Sequence, residues 1–60
     1  MLKLTNFYEN LPIRVNPKSV ESFFTSTKAG QTIVQTTSRR FFVSESLSEI
    51  ERQMSYYGVR

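Results

Sequence analysis

The chain has 60 residues, with eight Lys and Arg against five Glu and Asp, a formal charge of +3, and neither cysteine nor histidine. A chain this short buries only about 60% of the surface its unfolded form exposes, so it holds one small core and one domain, residues 1–60. Disulfides, thiolate metal sites, Ser-His-Asp triads and Cys-His dyads are excluded by composition, and the five glutamates show no calcium-loop spacing. No cofactor or metal is expected. With 38% hydrophobic residues and eight aromatics the chain should fold. Its apolar runs are too short for a membrane span or an export leader, so a cytoplasmic protein is expected.

Leu2 to Tyr8 carries apolar residues at Leu2, Leu4 and, after a slip, Phe7, which predicts a half-buried first strand. Glu9 to Pro12 breaks it. Ile13-Arg14-Val15 alternates as a short second strand, and Asn16-Pro17 makes a corner. Ser19 to Thr27 is rich in β-branched and aromatic residues and reads as a third strand, or as one helical turn after Pro17 followed by a strand. Lys28-Ala29-Gly30 is a hairpin connection whose glycine supplies the positive φ such loops need. Gln31 to Thr37 follows as a fourth strand, with Val34, Thr32 and Thr36 on one face and Ile33, Gln35 and Thr37 on the other. Neither face is apolar enough to fix the register by pattern. Ser38-Arg39 is the next turn, and Arg40 to Val43 the fifth strand.

Ser46-Leu47-Ser48-Glu49 has the S-x-x-E form of a capping box, and Leu47, Ile50, Met54 and Tyr57 then recur on one helical face. A helix over 47–57 is predicted, ended by Gly58. The fold class is therefore α+β, an antiparallel β-meander of four or five strands followed by one C-terminal α-helix.

Leu2-Lys3-Leu4-Thr5, Val15-Asn16-Pro17 with Val20-Glu21, Thr32-Ile33-Val34, and Phe42-Val43-Ser44-Glu45-Ser46 with Glu49-Ile50 together resemble the small flagellar-operon proteins called FlbD or SwrD. The likeness covers about 50 residues. In this chain Ser38-Arg39-Arg40 stands where that family usually has a glycine before a basic pair, and the Tyr56-to-Arg60 tail is additional. The resemblance implies a cytosolic bacterial or phage protein without catalytic residues.

All eight aromatics fall in adjacent pairs: Phe7-Tyr8, Phe23-Phe24, Phe41-Phe42 and Tyr56-Tyr57. Neighbours on a strand point to opposite faces, and one helix covers only one face. If Phe24, Phe41 and Tyr57 fill the core, then Phe23, Phe42 and Tyr56 are left as an exposed partner-binding set; their pair-mates serve equally well. Such a surface suits a larger protein, or a second copy joined through that face or through an edge strand. Bulges that tuck both rings of a pair inward are the alternative. Arg39 and Arg40, with Lys28, Lys18 and Arg14 elsewhere, offer a basic surface for nucleic acid or a small anionic ligand, Phe41 and Phe42 stacking on bases. The low net charge makes a solvated turn the simpler reading. The terminal helix, with Met54, Tyr56 and Tyr57 as anchors, is a further candidate docking element. No G-x-S-x-G elbow or phosphate loop is present, and an enzyme is not expected. The function expected is that of a small regulatory or adaptor protein acting on a larger protein. Its alternatives are a phage-encoded inhibitor of a bacterial host system and a weak nucleic-acid or nucleotide binder.

Overall fold

The computed structural model describes residues 1–58. It has strands β1 (Leu2–Thr5), β2 (Pro12–Val15), β3 (Val20–Thr25), β4 (Thr32–Thr36) and β5 (Arg40–Val43), a 3-10 turn at Pro17–Ser19, and helix α1 (Leu47–Tyr56). It is an α+β fold, five antiparallel strands and then a C-terminal helix. β1 and β2 form one ladder, and β3, β4 and β5 form a meander. The two are joined at one antiparallel bridge, Asn6 to Val43, flanked by Phe7 N–H donating to the Phe42 carbonyl at 2.7 Å and Ser44 N–H donating to the Thr5 carbonyl at 3.0 Å.

The first strand stops at Thr5 rather than running to Tyr8, and the cause is Asn6. Its side-chain oxygen accepts the N–H groups of Tyr8 and Glu9 at 2.9 and 2.8 Å, an Asx turn that offers the backbone an alternative to the ladder. Asn10, at φ 57°, completes the loop. The third segment is a strand from Val20 to Thr25, its first half included, and the helical turn precedes it at Pro17–Ser19, capped by the Asn16 side chain. The β4–β5 turn is centred on Thr37 and Ser38, one residue earlier than expected, because Thr36 closes it by bonding to Arg39 through both its N–H and its hydroxyl, each at 2.8 Å. Gly30 adopts φ +76° in the β3–β4 hairpin, a conformation an L side chain would strain.

The helix begins at Ser46, whose hydroxyl accepts the Glu49 N–H at 3.2 Å. Half of the capping box forms. The Glu49 carboxylate turns along the helix to Arg52 and Gln53 instead of reaching back. Ile50 and Met54 enter a core made with Leu2, Leu4, Val15, Val34 and Val43, and Ile13, Val20, Phe23 and Phe41 pack around it. On β4 the core face is Thr32, Val34 and Thr36. Two threonines are buried there, and the hydroxyl of one, Thr36, is satisfied by the turn beneath it.

Candidate functional site

The register of the meander sets the site. Phe24 lies opposite Ile33, and Ile33 opposite Phe42, so these three side chains form a row across all three strands. The next row along is Ser22, Gln35 and Arg40. Side chains alternate along each strand, and Val34, Phe23 and Phe41 take the core side, so both rows face away from the core. Helix α1 packs against that core through Ile50 and Met54 and leaves the outer row uncovered. Phe24 is 42% exposed, while Ile33 and Phe42 shelter one another and are half-buried.

Tyr8 lengthens the row. Its ring meets Phe42 edge-on at 5.9 Å and Phe7 at 5.3 Å, and its hydroxyl accepts a hydrogen bond from Gln31 Nε2 at 2.9 Å. The Lys28 ammonium lies 5.2 Å from the Tyr8 ring centre, within cation–π range. Arg40 lies in the neighbouring row, beside Phe42 on β5 and on the flank away from the β3–β4 hairpin, its Nε donating to Gln35 Oε1 at 3.0 Å. The face is thus an apolar centre between two cationic margins.

The residues singled out from the sequence fall in three places. Phe42 and Arg40 are on the outer face. Phe23 is half-buried against the core, opposite Val34, so within its pair Phe24 is the ring that faces out. The reason is a β-bulge between Val20 and Ser22, which lets Val20 and Phe23, three residues apart, both face the core. Arg39 sits with its guanidinium 5.5 Å from the Phe41 ring, on the core-facing side of the strand, so the two arginines diverge and do not form one anion clamp. Tyr56 is 81% exposed at the end of α1, stacked edge-on against Tyr57 at 5.2 Å, and is separate from the sheet face. The sequence pattern places neither Tyr8 nor Ile33 on the surface patch, and leaves Phe24 there only as the alternative to Phe23. For Phe24 the missing signal was the bulge, for Ile33 the similar polarity of the two faces of β4, and for Tyr8 the Asn6 turn.

Two shallow hollows flank the helix. One of about 430 Å³ is lined by Lys3, Glu49, Arg52, Gln53, Tyr56 and Tyr57. Its charged groups are already engaged: Glu49 and Arg52 pair at 2.7 Å. The Arg52 guanidinium, helped by the Gln53 amide, holds the Glu49 carboxyl below its ordinary range, and Glu49 in turn raises Arg52. A glutamate held ionised this way is a poor general base. The other hollow, about 290 Å³, lies between the β3–β4 hairpin and the start of α1. Among the described residues no three carboxylates converge as a metal site, and no helix is long and apolar enough to cross a membrane. Set beside protein-family models, curated proteins and solved structures, the chain matches none.

Proposed function

We propose that the protein is a small non-enzymatic regulatory or adaptor protein, working in the cytoplasm, that docks on a larger protein through the Phe24–Ile33–Phe42 face. The observation that carries this reading is the uncovered row itself. Three large apolar side chains share one sheet face, with the only α-helix among the described residues packed on the other side. Leaving Phe24 in water forgoes stabilisation that a domain this small can scarcely spare, and central aromatic anchors rimmed by polar groups are the usual hot spots of protein interfaces. Arg40, Gln35 and Lys28 supply such a rim.

The divergence of Arg39 from Arg40 favours a protein partner over a phosphate, since bidentate anion recognition needs converging donors. The resemblance to the flagellar-operon FlbD/SwrD proteins is compatible with this role in a bacterial or phage setting. Affinity capture from a bacterial lysate tests it, with wild type beside Phe42→Ser and Tyr56→Ser. One prey lost with Phe42→Ser and kept with Tyr56→Ser, both variants still melting cooperatively, supports the sheet face. A prey lost only with Tyr56→Ser moves the site to the helix.

A further inference from the structure

Every strand edge exposes backbone donors and acceptors, and this molecule treats its edges unequally. The outer edge of β1 is closed by side chains. Lys3 N–H donates to Gln53 Oε1 at 2.8 Å and its carbonyl accepts Gln53 Nε2 at 3.0 Å, while Thr5 N–H donates to Glu45 Oε1 at 2.8 Å. The outer edge of β5 is closed over its last residues, where the Phe42 carbonyl accepts the Phe7 N–H and the Ser44 N–H donates to the Thr5 carbonyl, and is charged at its start by Arg40. β2 is blunted by Pro12, which has no N–H, and by the charged Arg14.

β3 has none of these protections over its second half. Ser26 N–H donates to the Gln31 carbonyl at 3.1 Å, and the alternation of an antiparallel ladder then gives the peptide groups of Ser22 and Phe24 to β4 and points those of Phe23 and Thr25 outward. Among the described residues these outward groups have no backbone or side-chain partner. The bulge is confined to Val20–Ser22, and from Ser22 to Thr25 the strand pairs regularly with β4 and carries neither proline nor charge.

We infer that the free edge of β3 joins a second copy of this chain, antiparallel, about a two-fold axis at Phe24. An antiparallel edge is self-complementary under such an axis. This centre sets Phe23 opposite Thr25 of the second copy and Thr25 opposite its Phe23, so that all the outward donors and acceptors of the two residues are used. The two Phe24 residues then form a non-hydrogen-bonded pair, the geometry in which cross-strand side chains approach most closely. The meander becomes one sheet of twice the width, with an unbroken outer row running Phe42, Ile33, Phe24 and then Phe24, Ile33, Phe42 of the second copy. The assembly doubles the face assigned to partner binding, but it rests on the backbone accounting and not on that assignment.

Sedimentation velocity on wild type, Thr25→Pro and Phe24→Lys over a range of concentrations tests it. Proline at residue 25 deletes an outward N–H that no intramolecular bond uses, and lysine at residue 24 places like charges across the axis. Wild type is expected at twice 7.0 kDa and both variants at 7.0 kDa, with circular dichroism unchanged. If Thr25→Pro fails to fold, Phe24→Lys alone decides. Amide exchange supplies the site: in wild type the N–H groups of Phe23 and Thr25 should be as protected as those of Ser22 and Phe24. A wild type of 7.0 kDa at all concentrations, a dimer undisturbed by Phe24→Lys, or fast exchange at Phe23 and Thr25 overturns the inference.

Discussion

Gln53 stands in for a missing strand beside Lys3. Its carboxamide accepts the Lys3 N–H at 2.8 Å and returns a hydrogen bond to the Lys3 carbonyl at 3.0 Å, and its second amide hydrogen reaches Glu49 at 2.9 Å. The one helix is thereby stitched to the first strand by a group that also shields that strand from other chains. Gln53→Met keeps the length and removes the amide. Three hydrogen bonds are lost, each worth about 0.5–1.5 kcal/mol with the two exposed ones at the low end, so a loss of about 2 kcal/mol is expected in urea unfolding. A loss no larger than that of an exposed control such as Glu51→Met would mean that the contact does not hold the helix.

The Glu49–Arg52 pair gives a pH dependence with a definite sign. The Glu49 carboxyl is lowered from its ordinary value of 4.5, chiefly by the Arg52 guanidinium and next by Gln53. A carboxylate whose folded value is depressed contributes stability above its unfolded value and loses it as pH falls through the folded one. Arg52, raised by the same contact, contributes below its unfolded value and titrates only in strong alkali. Melting temperature should therefore fall on acidification more in wild type than in Glu49→Gln. Because both groups are exposed, the difference is small and shrinks with added salt. Parallel pH profiles for the two proteins would remove the pair from the account.

Ser46 caps α1 through a 3.2 Å bond to the Glu49 N–H. Ser46→Ala should cost about 1 kcal/mol and Ser46→Asp close to nothing, since aspartate caps equally well and suits the positive end of the helix. Chemical denaturation of both variants checks the order.

The two sides of the sheet should respond oppositely to truncation. Ile50 is fully buried in the core, and Ile50→Ala is expected to cost about 2–5 kcal/mol. Phe24→Thr, on the outer face, keeps a strand-forming residue and should stay within about 1 kcal/mol of wild type. Comparable losses at both positions, in protein dilute enough to be monomeric, would place Phe24 inside the protomer.

What could be read in the sequence was what local chemistry decides. The S-x-x-E signal, the helical spacing of Ile50 and Met54, and the glycine in the β3–β4 hairpin each depend on a few neighbouring residues, and the fold class followed from them. The facing of the Phe23-Phe24 pair did not follow, because it depends on a bulge at Val20–Ser22 that no residue type announces. Without it, Val20 on the core side would have carried Phe24 inward and Phe23 out. The Asn6 turn had a visible residue but an ambiguous one, since asparagine serves turns, caps and loops alike. The Gln53–Lys3 contact spans the chain and leaves no local trace.

The central claim is that the outer row is the working surface, and the chain's three isoleucines report on it separately. Ile13 packs at the margin of the core, Ile50 lies inside it, and Ile33 is the middle of the row. Methyl NMR spectra of isoleucine-labelled protein, recorded in buffer and then in bacterial lysate, should show the Ile33 signal shifting or broadening selectively, and Phe42→Ser should abolish the effect. An Ile33 signal unchanged in lysate, or broadened no more than those of Ile13 and Ile50, would contradict the claim.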